Sequence, residues 1–265
     1  MKQTNNAMNL FLYDGTFEGF LSAIFYSYEY KTKPYMITCK QNFQDKLFLT
    51  KYTVITMPEQ AERVWKGILK KTSKSTCQEI YRVFLSETEG VEMILFNYIS
   101  LIFDSLERIE SDYSNDIVLL IKKLHKKVIR EAQRVLMFVR FQKTADNIYY
   151  APFEPLYNVL PLTINHFTDR FADQKWMVYD MKRDYGFFYD LKETNEIKIS
   201  TQGTISPSGK IRTEILSNEE LFFQDLWRKY YDSINIKERK NLKVHMHFMP
   251  KRYWKFLPEK DVLNR

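Results

Sequence analysis

The chain has 265 residues, of which 45% are hydrophobic, 28% charged and 16% aromatic. This length suffices for one large domain or two moderate ones, and the small number of glycines and prolines argues against a disordered chain. The formal net charge of +7 favours an anionic partner such as nucleic acid, although many basic proteins bind none.

Cysteine usage and the amino terminus bear on the compartment. Cys39 and Cys77 are far apart and belong to no Cys-x-x-Cys or zinc-type spacing, which is typical of reduced residues. Residues Met1–Asn9 lack the apolar core of a signal peptide, and no apolar run approaches the ~18 residues of a membrane span. We therefore expect a cytoplasmic protein with no membrane association and no metal site.

The first half of the chain predicts short strands followed by a helical bundle. Leu10–Tyr13 is typical of a strand, and the side chain of Asp14 or Thr16 can cap the helix that follows. Thr56 and Glu59 have the spacing of a capping box at the start of another helix. A further strand is expected at Lys33–Ile37, and apolar stripes at helical spacing cover 61–69, 77–85 and 91–103.

One long helix is predicted from Asp116 to Lys143, with apolar residues on one face. The opposite face could follow a phosphate backbone, or it could simply be solvated, and the sequence leaves both interpretations open. The cations of this face are Lys122, Lys123, Lys126, Lys127, Arg130 and Arg134.

After Asn147 the pattern changes to short strands rich in aromatic and β-branched residues. We expect an α+β fold, in which a helical bundle with short N-terminal strands (1–146) precedes an α+β region with an antiparallel sheet (147–265). The two regions could also form one continuous domain. The expected strands are Ile148–Phe153, Trp176–Asp180, Tyr185–Leu191 and Glu196–Ser200, and the expected helices are 157–171 and 219–231.

A basic and aromatic segment lies near the carboxyl end, at Met249–Leu257. Cations neutralise phosphates and aromatic faces stack on unpaired bases, so this segment is our first candidate for DNA contact. The alternative is that the aromatic side chains pack into the core and the charges are solvated. The candidate nucleic-acid-binding residues are Lys251, Arg252, Tyr253, Trp254, Lys255, Arg239, Lys240 and Arg183.

A possible catalytic group is His166, Asp169 and Asp173, which would share one face of a predicted helix. Such a trio could act as a general base or bind a divalent metal, but a His and two Asp on a helix are more often solvated or paired with arginine. No phosphate loop, nucleophile elbow or zinc signature is present, so no local motif indicates an enzyme or a cofactor.

Two other patterns suggest weaker alternatives. His245 and His247 would lie on one side of a strand, where they could bind a metal only with further ligands. Tyr185, Phe187 and Tyr189 would share one strand face, as in sheets that stack bases, although an aromatic stripe at period two is more often core.

Four ordered blocks of the chain together resemble a bacterial family of DNA metabolism and DNA repair proteins built on a domain of unknown function. The blocks are YDGTFEGFLSAIF at 13–25, AERVWKGI at 61–68, the long stretch at 149–190 and the terminal RKN…MPKRYWKFLPE at 239–259. The matching positions include Asp14, Glu18, His166, Arg170, Asp173, Trp176, Asp180, Arg183, Tyr185, Arg252, Tyr253 and Trp254.

The resemblance implies a setting in DNA repair or modification. Members of that family look like companions of a radical S-adenosylmethionine protein similar to DNA photoproduct lyases, and related domains are joined to uracil-DNA glycosylase-like domains. This chain has no iron–sulfur cysteine motif, so any radical chemistry belongs to the partner. The leading hypothesis is a DNA-binding accessory protein. The alternatives are a nuclease or glycosylase-like enzyme using His166, Asp169 or Asp173, and a pure protein-interaction module.

Overall fold

The computed structural model describes residues 8–43, 49–199, 211–236 and 241–260. The chain divides into two compact units, Met1–Ile129 and Arg130–Arg265. Within the described ranges, no helix combines the length and apolar character needed to cross a membrane. The α+β fold class is confirmed, whereas the domain boundary expected at 146/147 stays a prediction.

The first unit begins with a three-stranded parallel sheet in the order β2-β1-β3. Its central strand β1 (Met8–Tyr13) is followed by helix α1 (Phe17–Glu29) and then by β2 (Met36–Cys39). Strand β3 (Leu49–Thr53), which the sequence pattern did not predict, pairs with the other side of β1. Parallel neighbours need such a crossover, and the buried residues of β1 form the centre of the layer.

The turn between β1 and α1 is built as the sequence predicts. Thr16 caps α1, since its Oγ1 accepts a hydrogen bond from the backbone N–H of Gly19 at 2.9 Å. Gly15 has φ +89°, in the left-handed region that favours glycine. The capping box at Thr56 is wrong: the Thr56 hydroxyl donates instead to Oδ2 of Asp14 at 2.6 Å, and Met57 occupies the N-cap position.

Four helices complete the first unit, and their apolar stripes close its core as expected. They are α2 (Pro58–Lys71), α3 (Lys74–Phe84), α4 (Val91–Asp104) and the first part of α5 (Asp116–Phe138). The core joins β1 and α1 to the inner faces of these helices, and its fully buried members include Phe11, Phe20, Ile68, Ile80, Leu95, Tyr98, Ile99, Val118 and Ile121.

Helix α5 ends at Phe138, five residues before the predicted end at Lys143. The chain turns there because Gln142–Lys143 forms a short strand, β4, that pairs antiparallel with β5 (Tyr149–Phe153). The backbone N–H of Lys143 also donates to the carboxylate of Glu220 at 2.9 Å. These bonds compensate for the helical hydrogen bonds that the chain gives up.

The second unit holds a five-stranded sheet in the order β4-β5-β6-β7-β8. The sheet is mixed, not antiparallel as expected, because helix α6 (Leu160–Arg170) returns the chain so that β6 (Trp176–Asp180) runs parallel to β5. Strands β7 (Tyr185–Tyr189) and β8 (Thr194–Ile197) then add antiparallel neighbours.

The last described residues of the second unit form helical segments. Helix α7 (Glu220–Ile234) is followed by α8 (Leu242–Phe248) and by a 3₁₀ segment at Lys251–Phe256. The strand expected around His245 and His247 is wrong, because the Asn241 side chain accepts from the Val244 N–H at 3.1 Å and caps a helix there.

Candidate nucleic-acid interface

The C-terminal segment is attached to the second unit by its aromatic residues. Tyr253 and Phe256 are buried in the 3₁₀ segment. The ring of Tyr253 lies 5.5 Å from that of Phe138, measured between centroids. Trp254 is half-buried, and its indole N–H donates to the carbonyl of Met249 at 3.0 Å. These aromatic side chains therefore hold the segment in place.

A buried carboxylate, Glu131, organises this attachment. Only 2% of the Glu131 side chain is exposed. Its Oε1 accepts hydrogen bonds from Nη2 of Arg252 at 2.7 Å, from the Tyr253 hydroxyl at 2.8 Å and from the Leu156 N–H at 2.8 Å. Arg134 adds an ion pair at 3.4 Å. A buried carboxylate with this many donors is held in its charged form.

The pKa values in this cluster reflect the same contacts. Burial raises the pKa of Glu131, but the hydrogen bonds from Arg252, Leu156 and Tyr253 outweigh it and bring the pKa below its ordinary value. Burial and the neighbouring Glu131 carboxylate raise the pKa of the Tyr253 hydroxyl well above its ordinary range. Tyr253 thus remains a neutral hydrogen-bond donor at every physiological pH.

Most other cations near this segment also have intramolecular partners. Lys255 donates to the carboxylate of Glu154. Arg183 donates from Nη1 to the fully buried Asp180 at 2.7 Å. Lys251 is exposed and forms no ion pair with any described residue. The candidates Arg239 and Lys240 lie outside the described residues.

The basic face of α5 is different, because several of its cations are exposed. Lys122 is the exception, since its ammonium group contacts both carboxylate oxygens of Glu79 at 2.8 and 2.7 Å. Lys123, Lys126 and Lys127 point to solvent and form no ion pair with a described residue. Their i, i+3, i+4 spacing places them on one face of the helix. They form a compact cationic surface, which we call the α5 lysine face.

The three candidate catalytic residues do not share one helix face. His166 and Asp169 lie on α6 and are exposed, but α6 ends at Arg170, and Asp173 lies in the turn beyond it. Among the described residues, no group of three or more His, Cys, Asp or Glu side chains could hold a metal ion. On helix α8, His245 and His247 are two residues apart and do not face each other.

The aromatic residues of β7 contact other side chains of the second unit, to which this strand belongs. Tyr189 is buried and its ring stacks on that of Trp176 with a centroid distance of 5.5 Å. The Tyr185 hydroxyl donates to the side-chain carbonyl of Asn158. Phe187 contacts the ring of Tyr185 at 6.0 Å. This stripe thus contributes to packing along the strand.

Sequence reasoning missed Glu131, although the pattern held a signal. The predicted buried stripe of α5 includes Val128 and Val135 and has a gap between them, where the helical spacing places Glu131. A carboxylate on a buried stripe requires partners, because burying an unpaired charge is costly. The gap indicated a buried polar contact but not which residues supply it.

Comparison with known families identifies a match to this chain. The model of the DUF4130 family, a domain of unknown function, matches residues 89–259. This range includes α5, Glu131 and the C-terminal segment, and it leaves the three-stranded sheet of the first unit outside. A comparison with curated proteins finds no match.

Proposed function

We propose that this chain, which belongs to the DUF4130 family of domains of unknown function, binds DNA as an accessory protein in repair or modification. The observation that carries the proposal is the α5 lysine face, where three exposed lysines have no partner among the described residues. The net charge of +7 has the same sign. Phosphate neutralisation by such a face supports binding that is independent of sequence.

The resemblance to DNA repair proteins supplies the biological setting. It implies a radical S-adenosylmethionine enzyme as the partner, which would carry out the chemistry while this chain contributes DNA contact. Within the C-terminal segment, Lys251 is the exposed cation and a second candidate for phosphate contact. Arg252 is held by Glu131, so its contribution to DNA binding includes keeping the segment folded.

The dimensions of the α5 lysine face suit a phosphate backbone. An α-helix rises ~1.5 Å per residue, so Lys123 to Lys127 cover roughly 6 Å of the helix axis, and long side chains extend this reach. Neighbouring phosphates of one strand are separated by about 3.4 Å along the duplex axis. Three ammonium groups can therefore each approach a different phosphate of the same strand.

The proposal is tested by titrating labelled duplex and single-stranded oligonucleotides over a series of salt concentrations. We expect the variant with Lys123→Gln, Lys126→Gln and Lys127→Gln to bind more weakly. The slope of log Kd against log salt should become shallower by roughly 3, because each lost phosphate contact removes about 0.9.

The matched control is the triple variant Lys33→Gln, Lys70→Gln and Lys74→Gln. These lysines are exposed and lie in the loop before β2, on α2 and on α3, so net charge falls by the same amount without removing the α5 lysine face. Equal losses of DNA affinity in the two triple variants would mean that net charge alone explains the effect. Unchanged binding in both would overturn the proposal.

A second candidate function is protein interaction, and helix α7 favours it. Phe222, Phe223 and Tyr230 are 61%, 55% and 55% exposed, and Leu226 lies between them on the same stripe. Contiguous exposed apolar surface marks interaction sites in soluble proteins. The occupant we expect is the partner enzyme that the resemblance implies.

Co-purification with that enzyme distinguishes the two functions. Phe222→Ser with Leu226→Ser should abolish capture of the partner while leaving DNA binding intact, whereas the α5 lysine variant should do the opposite. If both variants captured the partner enzyme as well as the unmodified protein does, α7 would not be the docking surface.

A further inference from the structure

The second unit contains an aromatic cleft that the proposed DNA contacts do not use. It lies where β5 and β6 begin and where α6 ends, and its volume is about 160 Å³. Sites for drug-sized ligands measure roughly 300–1,000 Å³, so this cleft has room for a single ring system. The lining residues are Phe141, Tyr149, Phe171, Gln174 and Trp176.

The aromatic walls are fixed by their neighbours. The rings of Phe141 and Phe171 meet edge to face at 5.1 Å. Trp176 also lines the cleft and is fully buried. One face of its indole is stacked on Tyr189 and its edge contacts Phe167 at 5.9 Å. Walls held in this way need little reorganisation to receive a flat ligand.

Three polar groups of the cleft have no intramolecular partner. The indole N–H of Trp176 is buried and makes no hydrogen bond. In the described parts of the chain, neither the side-chain amide of Gln174 nor the hydroxyl of Tyr149 bonds to another residue. Buried donors in native proteins almost always have a partner, so the Trp176 N–H is a donor whose hydrogen-bonding capacity no described residue meets.

Charged residues stand beside the cleft. The guanidinium of Arg170 lies 6.0 Å from the centre of the Phe171 ring. Lys175 and Asp173, both exposed, neighbour the lining residue Gln174 in the chain. The Arg170 guanidinium thus places a cation beside the cleft, which suits a ligand attached to phosphate.

We propose that this cleft binds one unpaired nucleobase of a DNA strand. Aromatic faces stack on a base irrespective of its identity, and a glutamine amide can pair with the donor and acceptor edge of adenine. Extruded bases are held in this way, by stacking and by hydrogen bonds to the exposed edge. The inference rests on the proposed function, because DNA binding brings the base to the cleft. Binding of the base itself depends on the cleft alone.

The experiment compares two duplexes that differ in one ring. Each has a single bulged nucleotide, deoxyadenosine in one and an abasic analogue in the other, and Kd is measured by fluorescence anisotropy. We expect the protein to bind the adenine bulge about tenfold more tightly, because stacking on an aromatic side chain contributes at this level. The preference should vanish in Phe171→Ala, which removes a stacking ring, and should shrink in Gln174→Leu, which keeps the volume of the side chain but removes its hydrogen bonds to the base.

Phe222→Ala is the matched control, since it removes an exposed aromatic ring of the same unit outside the cleft and should keep the preference. Equal affinity of the unmodified protein for both duplexes overturns the base pocket and leaves DNA binding standing. Failure to bind either duplex overturns the proposed function instead. In that case a titration with free deoxyadenosine, followed by saturation-transfer NMR, decides the pocket: binding that is lost in Phe171→Ala supports it, and no binding to the unmodified protein overturns it.

Discussion

Arg252 donates hydrogen bonds from both Nε and Nη2 to the buried carboxylate of Glu131, which lies 121 residues earlier in the chain. The pair links the C-terminal segment to helix α5 within the second unit. A residue that the sequence suggests as a phosphate contact thus has a structural role of its own. This changes what mutations of the segment are expected to do.

Arg252→Ala should lower the free energy of unfolding by about 3 kcal/mol, because it leaves a buried charge with fewer donors. We choose the lower end of the range for a broken buried pair, since 32% of the Arg252 side chain is exposed. Lys251→Ala removes an exposed cation and should change stability by no more than about 0.5 kcal/mol. Urea unfolding measures both, and similar values for the two variants would contradict the assigned role of Arg252.

The same carboxylate should make stability depend on pH. Burial raises the pKa of Glu131, but its hydrogen bonds lower it overall, so the folded pKa lies below the unfolded value of about 4.3. Between these two values the unfolded chain binds more protons. The contribution of Glu131 is therefore complete above about pH 4.3 and is lost as the pH falls through the folded pKa.

Glu131→Gln removes this titration and should flatten the loss of stability below about pH 4.3 relative to the unmodified protein. Burial raises the pKa of Glu92 and Asp180, so these groups also make stability depend on pH. Their contributions cancel in the difference between the two curves of unfolding free energy against pH, which therefore reports on Glu131. Parallel curves at every pH would contradict this prediction, because they would mean that folding does not change the pKa of Glu131.

Gly19→Ala should destabilise the first unit by about 1–3 kcal/mol through overpacking. A Cβ at this position would lie 2.2 Å from Oδ1 of Asp14 and 2.8 Å from Oγ1 of Thr56. Gly67→Ala is the control: it lies within helix α2, and its Cβ would meet Phe103 at 3.4 Å. There the helix propensity of alanine should stabilise by up to about 1 kcal/mol. Thermal unfolding should move in opposite directions for the two variants.

Helix α7 should tolerate changes to its exposed stripe better than changes to its polar anchor. The indole N–H of Trp227 donates to Oε2 of the buried Glu259 at 2.9 Å. Trp227→Phe should cost about 1.5 kcal/mol, because a hydrogen bond to a charged group is lost. Phe222→Ser should stay within about 0.5 kcal/mol. A larger loss for Phe222→Ser, measured by urea unfolding, would show that this ring is covered.

Local patterns predicted the elements that depend on local physics. The strands Tyr149–Phe153 and Trp176–Asp180 and the cap at Thr16 follow from side-chain alternation and from a hydroxyl satisfying free N–H groups. Strand β3 was missed, because its polar residues show no alternation and its pairing with β1 alone defines it. The parallel pairing of β5 with β6 was missed because it depends on the path of α6.

The sequence by itself determined the α+β class, the basic balance and the positions of most helices, because composition and periodicity are properties of the residues themselves. Only the tertiary structure decided which cations are available. Lys255, Arg140 and Arg252 meet carboxylates 101, 119 and 121 residues away in the chain, while the α5 lysine face meets none among the described residues. An ion pair forms only between groups within about 4 Å of each other, and no local pattern encodes that distance.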